Sequence, residues 1–248
     1  MDRAQREWMK KMARRGGAGA LIIVLLLVAG AGAFVYLRQG GDLQVLRGEE
    51  AQRPSAQDIE AVKARAQQVI FPVSVRWTDQ SGAMLTQQGS LISLGGGDFL
   101  TAAHVVQASG EVSAIQARVA GEVYALTVVE TSAARDVSKL RAAERTRWPG
   151  VVIAKRPVVV GEDVFIAGYP EKYAGVVAPE LIVTSGQVVD VLFETDLVGV
   201  RVIKATAKTD RGGSGGAMLN RDGELCGVVV AASSAQDKTT YVYAVPYE

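Results

Sequence analysis

Lys208-Thr-Asp-Arg-Gly-Gly-Ser-Gly-Gly-Ala-Met-Leu219 is the stretch on which the rest of the chain is read. Ser214 lies between two glycine pairs, Gly212-Gly213 and Gly215-Gly216. Glycine lets a backbone take unusual dihedrals and approach a ligand closely. Around a serine, that leaves Oγ exposed and bare N–H groups aimed at one point. Acyl transfer needs both, because the nucleophile must reach a carbonyl whose oxygen becomes negative. A flexible Gly/Ser turn would have the same composition, so the choice falls to the rest of the chain.

The chain has one histidine, His104, in Leu100-Thr-Ala-Ala-His-Val-Val106. A serine nucleophile usually needs an adjacent base, and a histidine base here can only be His104. Gly212-Gly-Ser-Gly-Gly216 also fits the nucleophile elbow of α/β-hydrolases, but in that fold the histidine follows the serine. No histidine follows Ser214. The order His then Ser leaves the subtilisin or the chymotrypsin arrangement. The short β-rich runs of this sequence favour the second, which needs an aspartate between the two.

Asp136, Asp163, Asp190, Asp196 and Asp210 are the candidates. Asp136 opens Arg135-Asp-Val-Ser-Lys-Leu140, whose Val137 and Leu140 suit a half-buried strand. A carboxylate there can be shielded from water and still meet an imidazole. Asp163 follows Gly161-Glu162 and reads as a turn. Asp210 is too close to Ser214 to reach round it. Asp136 is therefore the preferred third member.

Thr101-Ala-Ala-His-Val-Val106, Asp136-Val137, Ala167-Gly-Tyr-Pro170, Thr184-Ser-Gly-Gln-Val-Val189 and Thr209-Asp-Arg-Gly-Gly-Ser-Gly-Gly216 follow one another along the chain. In that order they resemble the trypsin-like serine proteases, and most closely the bacterial HtrA/Deg branch, over roughly 69–246. The resemblance implies an all-β fold of two antiparallel six-stranded β-barrels, about 69–154 and 155–248, with the active site between them. It implies a Ser214–His104–Asp136 triad. The oxyanion hole falls at Gly212 and Gly213, with the Gly212 and Ser214 N–H groups as donors. Val230, Ala231 and Ala232 would line the primary pocket, with Lys208 at its base, and 225–232 would offer the edge on which an extended substrate adds as a strand. The branch usually has Asn where this chain has Gly213, a longer approach loop, and PDZ domains after the protease. Gly213 also replaces the aspartate that a freed N-terminus pairs with in trypsin-like zymogens, so activity without N-terminal processing is expected.

Outward from the protease region, charge is uneven. Residues 1–38 carry seven Lys/Arg against two acids, net +5, so the remainder carries −4 of the formal +1. A mildly acidic body gives no sign of nucleic-acid binding. Residues 16–37 are uncharged and largely apolar, long enough to cross a bilayer core as a single helix. The six basic residues before them predict a cytoplasmic N-terminus, with residues 1–15 as its tail, and an exported body. A cleaved signal peptide competes with the anchor, with Ala29-Gly-Ala31 or Ala31-Gly-Ala33 as the small-residue site. The apolar run continues through Phe34-Val-Tyr-Leu37, which favours the anchor, inner-membrane and single-pass.

Residues 38–54 read as a linker. Ser55-Ala-Gln-Asp58 predicts a capping box opening a short helix, the start of a protease domain over 55–248. Strands are expected at 73–77, 89–94, 98–101, 115–119, 122–130, 163–167, 181–192, 198–208, 225–232 and 239–244. Cys226 stands alone in an apolar strand and reads as a buried thiol, which leaves no internal disulfide. With no Cys/His cluster, neither zinc nor any other cofactor is expected. The expected partners are protein or peptide substrates and, through the N-terminal helix, the membrane; homo-oligomerisation is left open. Two rival functions share the fold: an inactive peptide-binding pseudoprotease and an esterase of small acyl compounds.

Overall fold

The computed structural model describes residues 54–144, 148–170, 180–194, 200–209, 213–235 and 239–247, with the backbone of three strands before them. Those are β1 (Leu25–Val28), β2 (Ala33–Gln39) and β3 (Asp42–Arg47), paired antiparallel in the order β1-β2-β3. Leu25 lies opposite Tyr36 and Phe34 opposite Arg47. This corrects the helix expected over 16–37, whose described part is strand. Phe34-Val-Tyr36 are strong strand formers, and the glycines at 30 and 32 weaken a helix interior. Among the described residues no helix is long and apolar enough to cross a membrane.

The chain divides into two compact units, 1–53 and 54–248. The second begins with helix α1 (Ala56–Ala66), capped as its sequence predicts. The Asp58 N–H donates to Ser55 Oγ at 3.2 Å, and Asp58 Oδ2 accepts the Ser55 N–H at 2.8 Å. The Ser55 N–H, and then the Ser55 hydroxyl donating to Oδ2 at 2.8 Å, hold the Asp58 carboxyl below the usual range. α1 buries Val62 and Ala66.

Then come β4 (Ile70–Thr78), β5 (Met84–Gly95), β6 (Asp98–Ala102), the one-turn helix α2 (Ala103–Val106), β7 (Glu111–Val119), β8 (Glu122–Ser132) and β9 (Val137–Ala142). They close a barrel in the order β4-β5-β6-β9-β8-β7. The second set is β10 (Asp163–Gly168), β11 (Ile182–Glu194), β12 (Val200–Thr206), β13 (Ala217–Leu219), β14 (Leu225–Ser234) and β15 (Thr240–Val245). These close a second barrel, β10-β11-β12-β15-β14-β13. Counted within its own barrel, each runs first, second, third, sixth, fifth, fourth. All pairings in both are antiparallel, and closure leaves no long free edge.

Alternation along the strands sets the two interiors. In β4, Phe71, Val73 and Val75 point inward, joining Leu91, Phe99, Ile115, Ala117 and Leu140. In barrel 2 the interior is aliphatic and small: Val164, Ile166, Val188, Ile203, Ala205, Met218, Cys226, Val229, Val242 and Ala244. A third cluster joins the barrels. Ile70, Ile92 and Leu100 from barrel 1 pack with Phe165, Ala167, Leu219, Leu225 and Val228 from barrel 2, and with Val62 and Ala66 of α1. Lys63 pairs with Glu180 at 3.2 Å, and Arg65 Nη1 donates to the Asp222 carbonyl at 2.6 Å, so α1 is fastened to barrel 2.

Candidate active site

The register of β6 and β9 brings the first two site residues together. Thr101 faces Ser138 and Ala102 faces Val137. One step beyond, Ala103 and Asp136 meet, and the Ala103 N–H donates to the Asp136 carbonyl at 2.9 Å. Asp136 closes the turn from β8, with its own N–H donating to the Ala133 carbonyl and φ at +50°. Aspartate is among the few residues that tolerate this region. Its carboxylate takes two bonds: Oδ1 accepts the His104 N–H at 2.8 Å, and Oδ2 lies 2.6 Å from His104 Nδ1. With Asp136 ionised, that second bond places the imidazole proton on Nδ1 and leaves Nε2 as an acceptor. The His104 side chain is 45% exposed and that of Asp136 34%, so the pair is open to solvent rather than deeply shielded. Gln87 Nε2 donates to the His104 carbonyl at 3.1 Å and holds α2 to β5.

Ser214 sits in the link between β12 and β13 and is half-buried. Its carbonyl accepts the Ser90 N–H from β5 at 2.9 Å. The Gly215 N–H donates to Val229 and the Val229 N–H to Gly216, each at 2.8 Å, tying the turn to β14. The Gly216 N–H donates to the Gly213 carbonyl at 3.0 Å. Gly215 has φ +78°, and a Cβ there would lie 2.1 Å from Thr101 Oγ1 and 2.3 Å from the Ser90 carbonyl. A side chain is excluded twice over, by dihedral and by space.

One glycine on β5 lets the two halves of the site approach. A Cβ on Gly89 would meet Val105 Cγ1 at 2.5 Å and the Ser214 carbonyl at 3.3 Å. Val105 belongs to the His104 helix, so α2 and the serine turn both pack on β5 where it has no side chain. The next residue, Ser90, is fully buried. Its carbonyl accepts from Thr101 Oγ1 at 2.8 Å and its Oγ accepts the Tyr169 N–H at 2.9 Å. Ser90 thus joins β5, β6, the end of β10 and the Ser214 turn. Sequence reading missed it. Gly89-Ser-Leu-Ile92 carries no local signal beyond a strand, because the role depends on what β5 touches.

His104, Asp136 and the Ser214 turn therefore converge between the barrels. Among the described residues, the His104 ring bonds only to Asp136; it shares no hydrogen bond with Ser214 Oγ. The rejected aspartates stand elsewhere. Asp163 pairs with Arg221 at 2.9 Å, and Asp190 Oδ1 accepts the Val191 N–H. Gly212, Asp196 and Asp210 lie outside the described residues.

The expected pocket residues are on the surface of barrel 2. Val230 is half-buried and packs against barrel 1; Ala231 and Ala232 are exposed. Ala231 to Ser234 pair with β15 on one side, and no described strand pairs with them on the other. Lys208 is exposed, and its carbonyl accepts Thr184 Oγ1 at 2.6 Å. Lys204, not singled out from sequence, holds Nζ 4.3 Å from the Tyr241 ring centre. Tyr241 faces Ser233 across β14–β15.

Two closed antiparallel barrels with His and Asp on one and a glycine-framed Ser on the other define the class of chymotrypsin-fold serine peptidases. A model of the trypsin-like peptidase domain matches residues 87–228. The chain belongs to that family and is a serine-type endopeptidase. Among solved structures, it is similar to the Rv3671c protease from M. tuberculosis. The active form is 21% identical, with 78% of this chain and 83% of that one covered at a TM-score of 0.63. The inactive form is 22% identical, with 77% and 91% covered at 0.60. At this identity the likeness carries the fold alone. No curated protein matches the sequence.

Proposed function

We propose that the chain is a membrane-anchored endopeptidase of exported or envelope proteins, in which Ser214 is the nucleophile, His104 the base and Asp136 the residue that orients it. The observation that carries this reading is the grip of Asp136 on His104 at two points, ring and backbone. It fixes both the tautomer and the direction of the imidazole. Nε2 is left to take the Ser214 Oγ proton as Oγ attacks the scissile carbonyl, and to return it to the leaving amine. Asp136 stabilises the imidazolium between those transfers. Water then attacks the acyl-enzyme by the same route, releasing the acid and restoring the serine.

Backbone N–H groups at Gly212 and Ser214 are proposed to hold the oxyanion, each such donor contributing roughly 10²–10³ in rate. The exposed run Ala231–Ser234, paired on one side, suits addition of an extended substrate. Val230, Ala231 and Ala232 favour a small apolar residue before the scissile bond. A pocket governed by Lys208 would favour an acidic one. Cleavage-site profiling with a peptide library separates the two, and a preference for Arg or Lys contradicts both.

A catalytically silent peptide-binding protein is the second reading. The observation in its favour is that His104 and Ser214 share no hydrogen bond. In uncomplexed enzymes that bond is often long and tightens only with substrate. A fluorophosphonate probe decides: labelling of Ser214 that is lost in His104→Ala establishes the nucleophile, and no labelling with bound peptide establishes the silent form.

Anchoring rests on charge and composition alone, a run of uncharged residues over 16–37 behind six cations. The protein should stay with membranes through a carbonate wash, and a reporter fused after Gln52 should be active outside the cytoplasm. Release as a shorter soluble form would sink the anchor.

A further inference from the structure

A further cavity lies away from the Ser214 turn. It lies at an open end of barrel 2, holds about 290 Å³, and shares no residue with the site above. Its floor is apolar, with Ile203 and Cys226 from the barrel interior and Tyr247 at the rim.

Its described charges are all of one sign. Among the described residues Lys155, Arg156 and Arg201 line it, and no carboxylate does. Arg156 is neutralised from outside by Glu162. Lys155 and Arg201 have no ion pair among the described residues. Arg201 is the unusual one. It belongs to the row Arg201, Ile203, Ala205 on β12, of which the last two face the barrel interior. Its Nε is buried with no hydrogen-bond partner. A guanidinium stays charged at any ordinary pH. A buried donor without a partner costs about what a lost hydrogen bond costs, and a bound water or ion is one way such a group is satisfied. Strand β14, separated from β12 by β15, begins at Leu225 and Cys226 on the cavity wall and supplies the Val229 contacts to the Ser214 turn.

We propose that this cavity is a binding site for a small carboxylate with an apolar body, held by Arg201 with Lys155 at the rim. The volume is at the low end of ligand pockets and suits a molecule of about ten non-hydrogen atoms. The planar guanidinium fork matches a carboxylate, and the aliphatic and aromatic walls match the body.

The probe is benzoate, titrated calorimetrically into the full chain in a non-ionic detergent, with benzyl alcohol as its uncharged counterpart. Saturable binding of benzoate is expected, weakened roughly tenfold or more in Arg201→Gln, as loss of a charge-assisted bond implies. Benzyl alcohol should neither saturate nor compete. If benzoate does not saturate, only water satisfies Arg201 and the proposal fails. It fails equally if benzyl alcohol binds as tightly, or if a folded Arg201→Gln binds benzoate like the parent. Should Arg201→Gln not fold, the benzoate and benzyl alcohol comparison on the parent chain still decides.

Discussion

The two barrels have the same strand order and put their chemistry at the same place. In each, the residue proposed to act lies in the link from the third strand to the fourth: His104 between β6 and β7, Ser214 between β12 and β13. The links differ in how they are held. The His104 link is a helical turn fixed from within its own barrel, by Asp136 at the end of the β8–β9 turn. The Ser214 link is a glycine turn fixed partly from outside, by the Ser90 N–H of barrel 1. A base must keep one tautomer and one direction, and a local carboxylate supplies that. A nucleophile must meet the base of the other barrel, and a bond across the interface sets that distance. The serine is therefore the member most exposed to any slip between the barrels.

The largest expected effects break the pairing of roles. Ser214→Ala and His104→Ala should each remove peptide cleavage, and Asp136→Asn should lower it by about 10⁴ by leaving the wrong tautomer. Steady-state hydrolysis of a peptide from library profiling checks all three. Near-normal turnover in Asp136→Asn would mean that the two bonds to His104 serve folding rather than chemistry.

Gly215→Ala tests the cross-barrel bond. The added methyl cannot avoid Thr101 Oγ1 and the Ser90 carbonyl without pushing β13 away from β5 and β6. Loss of fluorophosphonate labelling is expected, with stability lower by about 2–4 kcal/mol. The His104–Asp136 pair should survive, seen as a persistent downfield Nδ1 proton resonance. Full labelling in Gly215→Ala would show that the serine turn does not depend on barrel 1.

How much of this was legible beforehand follows from range. The capping box at Ser55, the β5–β6 hairpin and the strand opened by Asp136 are local patterns, and residues a few positions apart encode them. His104 and Ser214 were found because the chain has one histidine and one doubly glycine-framed serine, which is composition rather than geometry. Ser90 and the approach of Val105 to Gly89 were invisible, because they need β5 to lie under both links. The β1–β3 strands were misread because a long apolar run is compatible with helix or strand, and surroundings choose between them. Arg201 gave no signal either. A lone arginine in a strand reads as a solvated charge until the barrel closes around it.

The interiors of the two barrels also differ, and that difference can be measured. Barrel 1 is centred on aromatic rings: Trp148 lies 5.9 Å from Phe71, 5.6 Å from Phe99 and 4.5 Å from Tyr124. Among the described residues barrel 2 has no such cluster, and Cys226 sits where its interior opens into the cavity. Phe99→Ala should cost about 3–5 kcal/mol in chemical denaturation, since a fully buried ring leaves a hole its neighbours cannot fill. Cys226→Ala should cost only about 1 kcal/mol, because it enlarges a space already present. Equal losses would mean that the cavity wall is as tightly packed as the aromatic centre.

The smallest effects are at the extremes of pH, where each barrel has its own weak side. In barrel 1, Asp98 accepts two bonds from Arg141, at 2.7 and 3.1 Å, and lies 2.9 Å from Lys139. The Arg141 bonds, more than Lys139, lower its carboxyl to about 2, against an ordinary value of 3.8. A depressed folded-state value stabilises above the unfolded value and is lost as pH falls through the folded one. The window is therefore about pH 4 down to 2. In barrel 2, burial pushes the Cys226 thiol up to about 12 from 9.0. A raised value stabilises below the unfolded value and is lost as pH rises, here from about 9 towards 12. Burial raises Tyr169 to about 12 as well, and it shares the alkaline window. Asp98→Asn should therefore flatten the acid limb of a stability profile and leave the alkaline limb unchanged. Cys226→Ala should do the reverse, with the remaining alkaline slope belonging to Tyr169. Denaturation midpoints of the three chains between pH 2 and 11 test this. If Asp98→Asn loses stability as steeply as the parent below pH 4, the acid limb belongs to other carboxylates. If Cys226→Ala keeps the whole alkaline slope, the thiol is already open to solvent through the cavity, and the packing contrast between the barrels is smaller than their interiors imply.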